Sequence, residues 1–583
     1  GDEEPPMPDQ PPMDGDDGEA VPYDSAPDNP YFRPLGYNRG RFYIMADRGQ
    51  QVLDFSARAL GDKRELLQLA PLHWWEREFP SEKGFGGQAV DRATNWMMNA
   101  CYFQGLYDPD RVRGRGAWLD DDRAVLHLGD RLICEGNPVE LTGLNSGYIY
   151  ERSAALSGLE AEPAGTSEAH RLVKICDDLH WERPVSGKLL AGWIAIAPIC
   201  GTLQWRPSIW ITGPSGSGKT YVLEHIVRAA VGRIALPVQS KTTEAGIRQR
   251  LGRDALPVVF DEAEGEDLRD RARMQGVIDL VRQSASEGGA EIIKGTQGHE
   301  AKSFRIRSAF AFCSINVGIE SYADESRITT LSLTAPAKDD EEARTMAQAH
   351  FEELNRAVVE TLTPEFGARL TARSVRLAAV IKDNARVFGK AVALHLGDQR
   401  IGDQLGALLA GAYSLHSSRR ISEADADAWV KRQHWTEASA ADAEQDHERL
   451  LSYIIQRQQR VTRDGGAPLE LSIGEIIEAA LGRVDSDIPA TVARKHIERL
   501  GIRPQTAAAP AARDAEGEGV WVSRSHHGIR ALLHNTPWGS RWGDALSRLP
   551  GAVKSSRPVR FGATGTSRAV FIPRSTLYAE DDG

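Results

Sequence analysis

Ile209-Trp-Ile-Thr-Gly-Pro-Ser-Gly-Ser-Gly-Lys-Thr220 runs an apolar strand into a loop of the form G-x-x-x-x-G-K-[ST], and a helix-forming run, Tyr221 to Val227, follows. Gly213, Gly216 and Gly218 permit backbone angles that other residues avoid, so successive N–H groups can converge on phosphate oxygens. Pro214, Ser215 and Ser217 complete the loop. The helix beginning near Lys219 adds its positive dipole end. On this reading Lys219 reaches the β- and γ-phosphates of ATP and the Thr220 hydroxyl sits on Mg²⁺. A chance Gly/Ser-rich turn would need neither the strand before nor the helix after.

A cradle that holds ATP does not yet hydrolyse it. Leu256-Pro-Val-Val-Phe-Asp-Glu262 supplies an apolar run ending in two acids, 42 residues after Lys219. Such a run reads as a buried parallel strand, and its C-terminal end is where open α/β sheets bind ligands. Asp261 is expected to hold Mg²⁺, directly or through water, and Glu262 to polarise the attacking water.

A third apolar strand, Ser308 to Ile315, ends on Asn316. An Asn there can orient the lytic water or contact the γ-phosphate; it can also cap the next turn. Before it, Ala290 to Arg307 reads as a hairpin around a Lys-Gly-Thr-Gln-Gly-His tip, carrying Lys294, His299 and Lys302. After it, Ala323-Asp-Glu-Ser-Arg327 leads into an apolar run from Ile328 to Leu333.

This order of phosphate loop, acidic strand, hairpin, Asn-tipped strand and arginine resembles superfamily 3 helicases of the AAA+ class. The matching segment covers about residues 205 to 335. More loosely, Tyr31-Phe-Arg-Pro-Leu-Gly-Tyr37, Arg113-Gly-Arg-Gly-Ala-Trp118 and Val125-Leu-His-Leu-Gly-Asp130 look like segments upstream of the helicase in phage-type primase–helicases. The resemblance implies a hexameric or similar homo-oligomeric ring threading single-stranded DNA, with 3′ to 5′ polarity. Carried over by position, Lys294, His299 and Lys302 become pore-hairpin candidates, with a solvated hairpin tip as the plainer reading. Arg327 becomes the arginine that completes a neighbour's ATP site; Arg305 and Arg307 are the other arginines placed for that role, and Arg327 can also simply pair with Asp324 or Glu325.

At 583 residues the chain exceeds what one core supports, so several domains are expected. The five cysteines are scattered with no C-x-x-C pair, which fits a reducing cytoplasm better than a disulfide framework or a structural zinc site. The longest apolar run, Leu189 to Cys200, has twelve residues and an internal proline, too short for a bilayer and suited to a buried helix. No secretory pattern opens the chain, and Gly1 in place of Met points to a longer natural protein. The net charge of −12 is concentrated: residues 1–30 hold ten acids and no Lys or Arg, leaving 70 basic against 72 acidic residues elsewhere. That tail reads as disordered, either a linker or a DNA mimic competing for a basic pore.

Residues 31–150 read as a small α/β region, 151–204 as a helical collar, 205–338 as the AAA+ ATPase core, 339–440 as a helical lid and 441–583 as a winged-helix-like basic domain. Within the first, Asp120-Asp-Asp122 is better explained as a hairpin turn than as a metal cluster, and Trp74 and Trp75 as buried rings rather than base platforms. Within the last, two helices, the second bearing Arg494, Lys495 and Arg499, precede β-prone runs. From Arg524 to Arg574 there are nine Lys/Arg against one acid, Asp544. Interleaved with Trp538, Trp542 and Phe561, this stretch reads as a phosphate-binding surface with stacking platforms.

The whole is expected to be an α/β, ATP- and Mg²⁺-dependent ring helicase of the primase–helicase type from a phage, plasmid or other mobile element. It would act on single-stranded DNA or a forked duplex, with a primase or other replisome component as a further partner and no membrane. The rivals are an AAA+ loader or switch that does not unwind, and an origin-binding scaffold that uses ATP only to assemble.

Overall fold

In the computed structural model, the described residues are 29–239, 241–261, 268–286, 292–295, 301–314, 327–335, 341–433, 435, 446–462, 468–482, 488–534, 536, 538, 542–563 and 565–578. Glu262, His299 and Asn316 lie outside them, and Lys294 and Lys302 are described in backbone only. The chain is a mixed α/β protein that divides into two units, Gly1–Ser157 with Gly252–Ala255, and Gly158–Leu251 with Leu256–Gly583.

The first unit is built on two antiparallel meanders. β1 (Phe32–Asn38), β2 (Arg41–Ala46) and β3 (Gln51–Ser56) pair in chain order. They pack on α1 (Leu72–Glu78) and α2 (Gln88–Gln104) through a cluster in which Phe32 stacks on Trp75 at 5.7 Å and meets Trp74 edge-on at 5.5 Å. Trp74 and Trp75 are fully buried, and the Trp75 indole N–H donates to the Leu66 and Ala70 carbonyls. The second meander comprises β4 (Gly116–Asp120), β5 (Arg123–His127), β6 (Leu132–Cys134) and β7 (Asn137–Val139). Asp121 and Asp122 both have positive φ, +48° and +65°, the two-residue turn whose twist suits a hairpin. Asp120 is buried with Arg123 at 3.5 Å, so the three acids shape a turn.

In the second unit, α3 (Thr166–Asp177) and α4 (Val185–Ile196) lead into β8 (Ser208–Thr212). The stretch Val185–Thr202 is long and apolar enough to cross a membrane by length and composition, longer than the run noted in sequence, yet 89% of it is buried inside the protein. The chain continues through α5 (Lys219–Tyr221, Val222–Val227 and Arg228–Val231 in succession), β9 (Leu236–Val238), α6 (Glu244–Leu251), β10 (Val258–Phe260), α7 (Leu268–Ser284), β11 (Ile292–Gly295), β12 (Ala301–Phe304), β13 (Phe310–Cys313) and β14 (Ile328–Ser332). Five of these strands form a parallel sheet in the order β9-β10-β13-β8-β14. Both faces are covered, which is why β8 reads as an unbroken apolar run and all five of its residues are buried.

Helices α8 (Glu341–Thr361), α9 (Pro364–Arg376), α10 (Ala378–Leu396), α11 (Gln399–Ser414) and α12 (Glu423–Lys431) follow. The segments read in sequence as a separate collar and lid interlock here. Helices α4 and α11 cross so closely that a Cβ on Gly192 would lie 2.0 Å from the Leu408 carbonyl oxygen, and one on Gly411 2.3 Å from that of Gly192. Arg373, 2% exposed, ties α9 to both neighbours by donating to the Ala164 and Ser414 carbonyls. Gln404 seats α11 on the sheet: its amide donates to the Ser208 carbonyl and the Thr329 hydroxyl and accepts from the Trp205 indole.

The C-terminal part begins with α13 (Asp446–Gln456) and the hairpin β15 (Gln458–Val461) with β16 (Leu469–Ser472). Then α14 (Ile473–Leu481) opens on a capping box, the Ser472 hydroxyl accepting from the Glu475 N–H while the Glu475 carboxylate accepts from the Ser472 N–H. Those bonds hold the Glu475 carboxyl below the usual carboxylate range. α15 (Ala490–Leu500), β17 (Ile502–Gln505), β18 (Gly519–Ser523), α16 (His527–Leu532), α17 (Trp542–Leu546), β19 (Val553–Lys554), β20 (Val559–Arg560), β21 (Thr566–Ser567) and β22 (Ala569–Pro573) complete it. Here β17-β18-β22-β19 form an antiparallel sheet and β20–β21 a separate hairpin.

Candidate functional site

The phosphate-type loop leaves the C-terminal end of β8, between β13 and β14. The chain leaves β8 for β9 at the far side of the sheet, returns through β10 and β13, and ends with β14 on the other flank. Such a reversal of direction beside one strand is where open parallel sheets form a ligand crevice.

Backbone geometry makes the glycines of this loop irreplaceable at one point. Gly213 has φ +151°, and a Cβ there would fall 2.5 Å from the Leu333 carbonyl oxygen and 2.7 Å from the Ser217 hydroxyl. Gly216 and Gly218 sit at φ +81° and +91°, the second starting helix α5. The Ser217 N–H donates to the Pro214 carbonyl at 3.2 Å, closing the turn. Its hydroxyl is buried without a hydrogen-bond partner. Lys219 is 9% exposed and lies back along the loop, its ammonium donating to the Gly213 and Pro214 carbonyls at 2.8 and 3.0 Å. Thr220 is exposed on the first turn, as are Pro214, Ser215 and Gly216 on the loop. A loop of three glycines of positive φ, one of them with no room for a Cβ, an orphaned hydroxyl and an ammonium bonded to carbonyls fits a phosphate chain and its metal.

Helix α5 is π-helical over Val222–Val227, a wider winding that is frequent at functional sites. It is braced from α8: the Tyr221 hydroxyl donates to Asn355 at 2.9 Å and its ring meets Phe351 edge-on at 5.1 Å. Burial raises the Tyr221 phenol above its ordinary pKa, keeping it a neutral donor.

Asp261 closes β10, its N–H donating to the Val238 carbonyl on β9. Its carboxylate faces Arg228, Nη2 to Oδ2 3.9 Å, and the same guanidinium pairs with Glu224 one turn earlier on α5. Arg228 therefore links the helix after the phosphate loop to the acidic strand. Sequence reasoning passed over it; its only trace there is an arginine two turns beyond Lys219 on a helix otherwise buried on one side.

Strand β13 lies between β10 and β8. The Trp210 indole donates to the Ser314 hydroxyl at 2.7 Å, and its ring stacks on Phe312 at 4.9 Å. The end of β13, two residues short of Asn316, is thus pinned to the strand that carries the loop.

Arg327 is half-buried and immediately precedes β14. Register pairs Ser208 with Ile328 and Thr212 with Ser332, in parallel. Arg327 consequently stands at the N-terminal edge of the sheet, six steps and roughly 20 Å from the level of Gly213 at the rise of a strand. That exceeds the reach of an arginine, so Arg327 does not serve its own loop. Arg305 and Arg307 precede β13 and share that edge. The hairpin β11–β12 pairs Lys294 with Lys302 and joins the same edge through residues 305–309.

In the C-terminal part, Arg494, Lys495 and Arg499 are exposed on α15, and Arg494 Nε caps α14 by donating to the Ala480 carbonyl at 2.8 Å. The stacking platforms expected from sequence are corrected. Trp542 and Phe561 are 2% and 1% exposed, and Trp538 packs against the core with its ring on Tyr453. They fill the two faces of the antiparallel sheet. Val520, Val522, Val570 and Ile572 point to one core with Trp542; Trp521 and Phe571 point to the other with Phe561 and Val559. Gln505, buried beside Trp521, donates to the Ala515 and Gly517 carbonyls and accepts from the Ala511 N–H and the Trp521 indole.

No protein-family description matches the chain, and no curated protein does. Among solved structures, it is similar to the apo structure of the NrS-1 C-terminal region (residues 305–718), at 12% identity and a TM-score of 0.26, covering 76% of this chain and 95% of that one. An A-form apo structure of the same NrS-1 region gives 11% identity, a TM-score of 0.27, and 75% and 95% coverage. At those TM-scores the likeness carries no argument for fold or function.

Proposed function

We propose that this chain is an ATP-driven, ring-forming DNA helicase of the superfamily 3, AAA+ type, acting in the replication of a mobile element. The observation that carries the reading is the phosphate-type loop at the end of β8, with the Asp261 strand two places away and the strand leading to Asn316 between them. Gly213, Pro214, Ser215, Gly216, Ser217 and Gly218 would surround the phosphates, with Lys219 leaving its carbonyls for them. Thr220 and Asp261 would hold Mg²⁺. When bound, ATP supplies the free energy and Mg²⁺ neutralises phosphate charge.

Glu262 polarises the attacking water and Asn316 orients it. The distance of Arg327 from its own loop supports a role at a neighbour's site, and hence a ring such as a homo-hexamer. Lys294 and Lys302 stand on the hairpin β11–β12, which runs through residues 305–309 into β13; with His299 they would contact DNA, so that a change at the phosphate end of β13, toward Asn316, would move a contact at the other.

Strand displacement from a forked duplex tests the reading. Wild-type chain should displace with ATP and Mg²⁺, and Lys294→Ala should bind DNA yet fail to displace. Hydrolysis stimulated by single strands without displacement would assign a loader instead, and duplex binding without turnover a scaffold.

A further inference from the structure

We propose that the C-terminal hairpin β20–β21, with Arg557, Arg560 and Arg568, and the exposed side of α15, with Lys495 and Arg499, form one surface that binds the backbone of duplex DNA. The inference rests on the reading of this chain as a DNA-acting protein and names the form of DNA its C-terminal part takes.

Hairpin and helix are held as one piece. Arg503, just past α15, donates Nη1 to the Arg560 carbonyl at 2.7 Å. Gly562, in the turn between β20 and β21, comes so near α15 that a Cβ would lie 2.8 Å from Glu498 Oε2. Arg560 Nε donates to the Gly562 carbonyl at 3.2 Å and the Phe561 N–H to the Gly565 carbonyl at 2.9 Å, which shapes the turn. Phe561 itself anchors the hairpin in the core under Trp521. Fixed by those contacts, Arg557, Arg560 and Arg568 are exposed, and the run from Val553 to Pro573 contains no acid. On α15, Thr491, Arg494, Lys495 and Arg499 are exposed, with Glu498 half-buried among them. Basic groups outnumber the two acids there, Glu498 and Asp514, the latter accepting from the Ser556 N–H.

The form of nucleic acid follows from what the surface lacks. Proteins that hold single strands stack bases on aromatic rings. Among the described residues from 446 onward, no Trp, Tyr or Phe is exposed. A rigid helix beside a rigid basic hairpin suits a groove flanked by phosphates, and the wide major groove of B-DNA admits a helix where the deep, narrow groove of duplex RNA does not.

The test uses the full chain and three probes of matched length: a DNA duplex, oligothymidylate and an RNA duplex, followed by anisotropy across a salt series. Combining Arg557→Ala, Arg560→Ala and Arg568→Ala should weaken DNA-duplex binding at least ~10-fold and lower the log–log salt slope by roughly 2–3, about 0.9 per phosphate contact. Oligothymidylate binding should hardly move. The triple Arg→Lys variant, with its melting temperature checked, should keep the slope. An unchanged slope in the Ala variant, an equal loss for oligothymidylate, a preference for the RNA duplex, or the same loss in the Lys variant would each overturn the assignment. Strand displacement alongside any of those outcomes leaves the helicase reading standing; a wild-type chain that binds no nucleic acid removes both.

Discussion

The parallel sheet around β8 and the antiparallel sheet around β18 are both buried on two faces, yet they expose function in opposite ways. At β8, buried strands end abruptly and the loop at their C-terminal edge turns on three glycines of positive φ, of which Gly213 has no space for a side chain. At β18, the tight glycine, Gly519, packs within the sheet against Ile572, and exposed basic groups sit on a hairpin whose one aromatic, Phe561, turns inward. A cradle made of backbone is specified by residue type at fixed spacing. A surface made of side chains is specified by which way each strand faces.

The largest effect that separates the two belongs to Lys219→Ala. Nucleotide binding, followed with a fluorescent ATP analogue, should be lost, while duplex binding by the C-terminal part persists without nucleotide. Retained nucleotide affinity would mean that the loop is not a cradle.

Arg327→Ala should leave nucleotide affinity nearly intact and lower turnover by roughly 10³–10⁵, as fingers do in other P-loop enzymes. Mixing Arg327→Ala with Lys219→Ala chains should recover some activity, because some interfaces then pair an intact loop with an intact arginine. The sheet geometry already separates Arg327 from its own loop. No recovery in demonstrably mixed assemblies would leave it without a role in hydrolysis.

Glu262→Gln should bind nucleotide and lose about 10²–10⁴ of turnover, the usual worth of a positioned general base. Wild-type turnover in that variant would redirect attention to Glu264.

Phe561→Ala should cost about 3–5 kcal/mol in denaturant unfolding of the C-terminal part, the price of emptying a buried aromatic site. Arg560→Ala should stay within about 0.5 kcal/mol, as surface substitutions do. Equal effects would erase the distinction between buried ring and exposed arginine.

The smallest effect sharpens the sheet side. Trp210→Phe keeps the ring stacked on Phe312 but removes the donor to Ser314, at a cost of about 0.5–1.5 kcal/mol, the net worth of one hydrogen bond. If Trp210 aligns the end of β13, turnover should fall more than nucleotide affinity; a change in stability alone would make the bond structural.

Much of this arrangement was legible before any fold. The spacing in Gly213 to Thr220 and the acidic end of the Val258–Phe260 strand placed both loops, and Asp121-Asp122 announced a turn that two positive φ angles bear out. The stacking surface was not legible, because Trp542 and Phe561 have the same sequence neighbours whether they face arginines or a core. Arg494 shows the same ambiguity, since its Nε caps a helix that sequence places fourteen residues away. Arg228 escaped notice because its partner Asp261 is distant in the chain.

By itself, then, the sequence determined where backbone must bend: a glycine at φ +151° against a carbonyl is a local steric demand that residue type alone expresses. Only the tertiary structure decided which aromatic rings meet a core, which arginine reaches which acid, and that Arg327 stands at the far edge from its own loop. Those outcomes depend on strand order and register, which are set by packing between segments remote in sequence, and no local pattern carries that information.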